Sequence, residues 1–397
     1  MKKLLLATSA LVGLASSAAL AGGGHAPVTG SATSANAGAL NVMVGGFVNV
    51  EHAIGDQDNA ANSQGITSPG TAGQLRDASF TNDAEIHVTV AGSAEDFDYG
   101  GVVELNAQID NTDAEGGLNA DRVFIFGEND SFGRVEFGGN AGASQSLEID
   151  ASNIARGTGG IEGTWWNYVD IDSDNNAVNY IIQPNLVIAE QDQRGSDVSK
   201  ITYYTPRFSG VQLGVSYTND SGDLGSANTL SGTQNAGQYD EVFSGGINFE
   251  QNFDGVDLAL AAVGETGQAE TSTVNDLSAY SFGGKLGAEG FSVAGNWADL
   301  GDSGLATTAT EDSQTYWTAG AAYENGPYGV SVTHLNSEQG QGTVSNELAN
   351  TVVGADYQLA PGLTPYVEAA FFELDAGSTA RADNDGNVVV LGAELSF

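Results

Sequence analysis

Short segments in which apolar and polar residues alternate recur through almost the entire chain. Residues 211–218 are typical, because every second side chain is apolar and those between are small or polar. The segment 387–397 repeats this pattern. Side chains of a β-strand point alternately to its two faces, so a period of two indicates a strand with one apolar face. The chain is therefore predicted to be all-β.

Sixteen such segments occur, and their connections alternate in length. Seven are tight turns, including the sequences NFDG, AEG, ENGP and APGL, and eight are longer stretches, provided that residues 178–188 belong to a loop. An even number of antiparallel strands with short turns at one end and long loops at the other is typical of outer-membrane barrels. The pattern predicts a 16-stranded antiparallel transmembrane β-barrel over residues 41–397, wide enough for an aqueous lumen.

The two faces of the predicted strands favour a membrane barrel over a soluble sandwich. One face is apolar and lacks charge in most strands, whereas the other carries small polar residues. Aromatic residues mark the strand ends, as expected at the two interfaces of a membrane. At the tight-turn ends these are Phe97, Tyr99, Phe132, Phe208, Phe253, Phe291, Tyr328, Tyr366 and Phe397, and at the far ends Tyr217, Trp297, Trp317 and Phe372.

Residues 139–197 interrupt the strand pattern. This stretch of nearly sixty residues has weak alternation, many glycines and the pair Trp165–Trp166. Irregular loops of such length are uncommon in compact domains and are usually functional. We predict that the stretch folds inward as a constriction loop that narrows the lumen; a large surface loop is the alternative. For the two tryptophans, packing against the wall is favoured over stacking on a sugar ring.

The amino-terminal residues have the features of an export signal. Two lysines precede an apolar run that ends in the sequence ALA, so residues 1–21 are predicted to be a signal peptide and residues 22–40 a flexible leader. The chain has no cysteine, which excludes a disulfide scaffold. No other segment has the length and apolarity of a membrane helix.

Acidic residues dominate the charge. The chain carries 51 Asp and Glu against 11 Lys and Arg, a net charge of −40, and removal of Lys2 and Lys3 with the signal peptide leaves nine basic residues. So large an excess argues against nucleic-acid binding. It is compatible with a lumen that attracts cations and also with a solubility adaptation to a saline habitat.

The residues that flank the long loop resemble those of the Gram-negative porins, most closely the alphaproteobacterial general porins. The sequence DRVFIFGENDSFGRVEFGGNAGAS (121–144) is similar to the hairpin before the family's pore-constricting third loop, and SKITYYTPRFSGVQLGVSYTND (199–220) to the strands after it. Phe397 resembles the family's terminal assembly signal. The resemblance implies an outer-membrane homotrimer for passive diffusion, with loop acids facing a basic cluster on the wall. This chain has few Lys and Arg residues, which departs from the family's basic cluster on the wall.

Candidate pore residues are those in the long loop and those on the polar face of the alternating strands. On the loop, the residues predicted to line the constriction are Glu148, Asp150, Arg156 and Glu162. On the strands, the residues predicted to face the lumen are His87, Glu104, Arg134, Glu136 and Lys200. Arg122 is ambiguous, because both faces of its strand are apolar.

A metal ion is a hypothesis for one acidic series in the loop. Asp170, Asp172 and Asp174 have the spacing of the first three ligands of a calcium loop, although the glycine and glutamate of an EF-hand are missing. The family resemblance also implies calcium among loop carboxylates. No other cofactor is predicted. Four histidines, no cysteine and scattered serines give no catalytic set, so no enzymatic activity is predicted.

These features predict a general diffusion porin in the outer membrane of a Gram-negative bacterium. Its partners would be outer-membrane lipid, two further copies of the chain, small hydrophilic solutes and, preferentially, cations. Three alternatives stay open. They are a substrate-selective channel, a structural or adhesive surface protein anchored by its barrel, and a soluble secreted calcium-binding β protein.

Overall fold

A computed structural model describes residues 33–37, 40–58, 78–107, 119–169, 171, 180–186, 198–222, 239–310, 313–340, 342–377 and 383–397. The predicted signal peptide and the calcium series Asp170, Asp172 and Asp174 lie outside these residues. No helix within the described ranges has the length and apolarity needed to cross a membrane.

Within the ranges that the structure describes, seventeen strands form one antiparallel sheet. They are β1 (Thr33–Ala37), β2 (Leu40–Gln57), β3 (Ala78–Ala94), β4 (Phe97–Asn106), β5 (Asn119–Asn129), β6 (Gly133–Gly139), β7 (Ser199–Tyr204), β8 (Val211–Asp220), β9 (Tyr239–Phe253), β10 (Val256–Ala269), β11 (Leu277–Ala288), β12 (Phe291–Asp299), β13 (Gln314–Asn325), β14 (Tyr328–Gly340), β15 (Ser345–Tyr357), β16 (Leu363–Asp375) and β17 (Asn384–Ser396). Strands β2–β17 pair in sequence order and β17 pairs with β2, which closes a 16-stranded barrel. The predicted fold class is confirmed.

Strand β1 covers an edge of β2 that β17 does not reach. The register of β17 with β2 ends at Ser396 opposite Phe47, and β1 pairs with β2 residues 40–44. An unpaired edge exposes backbone hydrogen-bonding groups, and β1 removes this exposure. Residues 33–37, which belong to the segment predicted to be a flexible leader, thus form a strand.

Gly46 and Phe397 complete the closure at the same place. The Gly46 amide donates to the Phe397 carbonyl oxygen across 3.1 Å, and the Phe397 amide donates to the Gly46 carbonyl oxygen across 3.0 Å. The φ angle of Gly46 is +150°, and a Cβ atom there would lie 2.1 Å from the carbonyl oxygen of Glu85. A side chain at this position would therefore force the β2–β3 pairing apart.

The strands are apolar outside, as the alternation predicts. On β14, Val330 and Val332 are 49% and 43% exposed, whereas the inward Ser331 and Thr333 are buried. The predicted location at the membrane interface is wrong for two aromatic residues, because Tyr366 and Phe372 point inward and are buried. The alternation pattern does not determine which way either ring points, because a bulky apolar residue stands next to each of them and would face the opposite side of the strand.

An apolar core lies inside the barrel, between the long loop and the wall. Inward residues of β14–β17 that line it include Leu335, Leu348, Phe372, Leu374 and Val388, and the loop contributes Ile161, Trp165 and Leu186. The expectation of a uniformly small and polar inner face is therefore wrong for these strands. Burial of this apolar surface favours the inward position of the loop.

Candidate functional site

The long loop follows the inner wall of the barrel. After β6 it forms α1 (Ala143–Leu147) and three 3-10 helices, Ala151–Ile154, Gly160–Glu162 and Thr164–Tyr168. Helix α1 lies against β8–β10, the first 3-10 helix against β12–β14, the second against β14 and β15, and the third against β17. Residues 180–186 are mostly buried and form no strand, as the strand count requires. The prediction of an infolded loop is confirmed.

Small hydroxyl side chains of the wall hold the loop backbone. A buried amide needs a hydrogen-bond acceptor, and inward Ser and Thr residues supply one at four positions along the loop. Ala143 N donates to Ser216 Oγ (2.8 Å), Ala151 N to Thr318 Oγ1 (3.0 Å), Arg156 N to Ser331 Oγ (2.9 Å) and Ile161 N to Thr333 Oγ1 (3.2 Å). These bonds fix the path of the loop from β8 to β14.

Three wall carboxylates fasten the loop further. Glu368 accepts hydrogen bonds from Gly160 N at 3.0 Å and from the Thr158 hydroxyl. Glu51 accepts from Tyr168 Oη (2.7 Å) and Thr164 Oγ1 (2.9 Å), and Glu265 accepts from Ser144 Oγ (2.5 Å). None of the three was predicted as a site residue. The sequence feature that could have identified them is an acidic residue at an inward-facing position of a strand whose alternate, outward-facing positions are apolar.

The three predicted constriction acids come together on one side of the lumen. Glu148 is half-buried, and its Oε1 atom accepts hydrogen bonds from Tyr316 Oη (2.9 Å) and Asn296 Nδ2 (3.1 Å). Asp150 is buried and accepts from Ser152 N, which caps the first 3-10 helix. Glu162 ends the second 3-10 helix and interacts electrostatically with both other acids.

Their proximity and burial change how these loop acids ionise. Burial, reinforced by the charge of Asp150, raises the pKa of Glu148 to about 8. Burial and the same neighbour raise the pKa of Glu162, and burial raises the pKa of Asp150. The negative charge of this cluster therefore depends on pH in the neutral range.

Arg156 does not join the acidic cluster. Its guanidinium contacts Glu324 and lies 3.9 Å from Asp356 Oδ2. Glu324 is the second-last residue of β13, next to a tight turn, so Arg156 points to the tight-turn mouth of the barrel. The residue lies on the loop as predicted, but two wall acids are its partners.

The predicted wall residues on β6 and β7 have close polar partners. Arg134 contacts Glu136 (2.6 Å) and Glu128 (3.0 Å). Lys200 is buried and donates to the Asn140 carbonyl oxygen. The ambiguous Arg122 faces inward.

A second part of this wall lies on β3–β5. The Arg122 Nε atom is 3.5 Å from Glu104 Oε2, and His87 Nε2 is 2.7 Å from Glu85 Oε2. The predicted inward positions of His87 and Glu104 agree with this arrangement.

The loop acids and the β4–β5 wall lie on opposite sides of the ring. Glu148 is held by β12 and β13, which are eight strands from β4 and β5 in a ring of sixteen. The contacts of the described loop with the wall run from β7 through β17 to β2, and one reaches the far end of β3. Among the described residues, the loop makes no extensive contact with β4 and β5, so Glu104 and Arg122 lie across the lumen from the loop acids.

Two groups of metal-ligating side chains occur among the described residues. One is Glu85, His87 and Glu104, and the other is Asp220, Asp240 and Glu270. Neither group was predicted from the sequence to be a metal site. The calcium hypothesis for Asp170, Asp172 and Asp174 stays a prediction, because all three residues lie outside the described ranges.

Comparison with known proteins identifies a family and a fold. A family model described as Gram-negative porin matches residues 7–377. Uncharacterised proteins of Rickettsia bellii and Rickettsia conorii are 25% and 26% identical, and each alignment covers 100% of both chains.

Solved structures of a Rhodopseudomonas blastica porin share the architecture of the chain. A triple mutant of that porin is 16% identical with a TM-score of 0.55, and another mutant of it is 15% identical with a TM-score of 0.54. Each match covers 90% of this chain and 100% of the other. At this identity the similarity establishes the fold alone.

Proposed function

The chain belongs to the Gram-negative porin family, and on this basis we propose that it is a general diffusion porin that passes ions and small hydrophilic solutes and prefers cations. Family and fold indicate an outer-membrane channel. The observation that carries the proposal is the loop docked inside a closed barrel, whose described residues make their extensive contacts with strands other than β4 and β5. Solutes pass between these two strands and the loop, and the loop sets the size limit.

The charges around this path support a preference for cations. Arg134 is neutralised by two glutamates, and Arg122 lies beside Glu104. Acids therefore outnumber bases on the described inner wall of β3–β6. The opposite side carries the three loop acids, whereas Arg156 is engaged at the tight-turn mouth. Fixed negative charge on both sides of a narrow path enriches cations and depletes anions.

We further propose a homotrimer, which the family resemblance implies. Chemical cross-linking of membrane-extracted protein tests it. A ladder that ends at three chains supports the trimer, and a single uncross-linked band contradicts it.

Reversal potentials in planar bilayers test the preference for cations. Under a potassium chloride gradient at low salt, the potential should have the sign of a cation-selective channel. The preference should fade towards molar salt, because the Debye length falls from about 8 Å at physiological salt to about 3 Å. Anion preference at low salt would contradict the proposal. A folded barrel without conductance would favour a surface protein that uses the barrel as an anchor.

A further inference from the structure

Three potential metal ligands meet on the inner wall of β3 and β4. Glu85 and His87 are two residues apart on β3 and share its inward face, and His87 is the direct cross-strand partner of Glu104 on β4. One ligand atom from each side chain lies within 4.8 Å of the others. The side chains of Glu85 and His87 are 20% and 27% exposed, so the cluster is accessible from the lumen.

Glu104 is a buried carboxylate with a long ion pair. Its side chain is 7% exposed, and the Arg122 Nε atom lies 3.5 Å from its Oε2 atom. This distance is longer than a normal charge-assisted hydrogen bond. Burial of a carboxylate is costly unless it is closely paired or coordinates a metal, so this geometry leaves Glu104 able to accept a further cation.

The charge of the surroundings matches a divalent ion. Asp121, on β5, interacts electrostatically with Glu85, His87 and Arg122. Together Glu85, Glu104 and Asp121 carry three negative charges against the single positive charge of Arg122. With neutral His87 the group has an excess of two negative charges, which one divalent cation would neutralise.

We propose that Glu85, His87 and Glu104 bind a divalent transition-metal ion of the zinc type on the channel wall. One imidazole nitrogen with two carboxylate oxygens is a donor set that Zn²⁺ accepts, whereas Ca²⁺ and Mg²⁺ prefer oxygen ligands alone. Binding replaces the 2.7 Å contact between His87 Nε2 and Glu85, because the metal takes the Nε2 lone pair and the ring hydrogen moves to Nδ1. Three protein ligands leave a fourth position open towards the lumen.

Equilibrium dialysis of folded protein against Zn²⁺, with metal content measured by mass spectrometry, tests this proposal without relying on channel activity. The wild type should bind one Zn²⁺ per chain with higher affinity than any other class of site. His87→Ala should weaken this binding by roughly tenfold or more, since even the loss of a supporting contact costs that much at metal sites. Glu104→Gln should weaken it as well.

His334→Ala is the matched control. His334 lies on the outward face of β14 and contacts Trp317 and Thr351, so its replacement should leave Zn²⁺ binding unchanged. Mg²⁺ at the same concentration should not displace the Zn²⁺. Folding of each variant is checked by heat-modifiable migration on a gel, and His87→Gln is used where the alanine variant does not fold.

Three results would overturn the proposal. Folded His87→Ala or His87→Gln protein that binds Zn²⁺ as tightly as the wild type would exclude His87 as a ligand. Displacement of Zn²⁺ by equal Mg²⁺ would identify the binding as general attraction to acidic groups. Loss of the site in His334→Ala protein would place the metal elsewhere. A barrel that binds Zn²⁺ as expected but does not conduct would leave this inference intact and contradict only the proposed porin function.

Discussion

The Tyr316 hydroxyl donates a hydrogen bond to Glu148 Oε1 across 2.9 Å, so wall strand β13 directly holds a loop carboxylate inside the barrel. Asn296 on β12 donates to the same oxygen. The two contacts fix Glu148 opposite the β4–β5 wall, and burial with the nearby Asp150 charge raises its pKa to about 8. A carboxyl of the infolded loop therefore titrates close to neutral pH.

Cation selectivity should increase as pH rises from about 6.5 to about 9, a window that spans the raised pKa values of Glu148 and Glu162. A carboxyl with a raised pKa is neutral below that value and ionised above it, so raising the pH adds negative charge at Glu148 and Glu162. At about 8 Å in water one charge contributes about 0.5 kcal/mol, which is about twofold in local cation concentration at low salt. Reversal potentials measured across this pH range give the selectivity directly.

The double variant Glu148→Gln, Glu162→Gln should flatten this pH dependence. His87→Gln is the control, because it removes another titratable group from the lumen and keeps both loop acids. Selectivity that is independent of pH in the wild type would show that these carboxyls do not determine the field at the constriction.

Trp165→Ala should release the loop from the apolar core. Trp165 is 1% exposed, its ring centroid lies 6.3 Å from that of Phe372, and its Nε1 donates to the Ile161 carbonyl oxygen. Truncation of a buried tryptophan costs about 3–5 kcal/mol. We expect a larger and noisier single-channel conductance, because the narrowest section dominates the resistance and becomes mobile.

Trp297→Ala provides the comparison for this effect. Trp297 is 43% exposed on the outward face of β12, so its truncation removes a ring of the same size without touching the loop. Its conductance should stay at the wild-type value. Equal conductance of the wild type, Trp165→Ala and Trp297→Ala would show that packing of Trp165 does not control the width of the path.

Much of the fold could be predicted from the sequence because a barrel strand carries its information locally. Alternation in segments such as 211–218 specifies both the strand and its outward face, and the alternation of turns and loops specifies the topology. The loop could be identified for a related reason. Residues 139–197 lack the alternation that a strand with one apolar face requires.

The contacts that hold the loop could not be predicted, because they join residues far apart in the chain. Gly160 and Glu368 are 208 residues apart, and their hydrogen bond depends on the register of many strands. The same limit applies to Arg156, whose partners Glu324 and Asp356 belong to distant strands. Only the set of loop acids could be predicted, since Glu148, Asp150 and Glu162 are close in sequence.

Arginine substitution at adjacent β10 positions should distinguish the two faces of the wall. Leu260 is 50% exposed on the outward face, and an arginine there should cost about 2–4 kcal/mol near the bilayer midplane. Ala259 faces inward and pairs in register with Glu250, so Ala259→Arg places the new charge beside an acid. Folding yields into lipid vesicles measure the difference, and equal yields would contradict the assignment of faces.

Glu368 should determine how firmly the middle of the loop is held. Its carboxylate is buried and accepts hydrogen bonds from both Thr158 and Gly160. Glu368→Ala leaves the Gly160 amide without its acceptor, which costs about 1–3 kcal/mol where water cannot replace it. We expect faster proteolysis within the loop and a higher single-channel conductance, with the barrel still folded on heat-modifiable gels.

Glu368→Gln separates hydrogen bonding from charge. The amide oxygen can still accept from Gly160 N, and the amide NH₂ group can donate to the Thr158 hydroxyl, so both contacts survive without the negative charge. This variant should resist proteolysis almost as well as the wild type, whereas the alanine variant should not. If Glu368→Ala and Glu368→Gln release the loop equally, the charge of Glu368 rather than its hydrogen bonds holds the loop. If neither variant releases it, the apolar packing around Trp165 is sufficient to keep the loop inside the barrel.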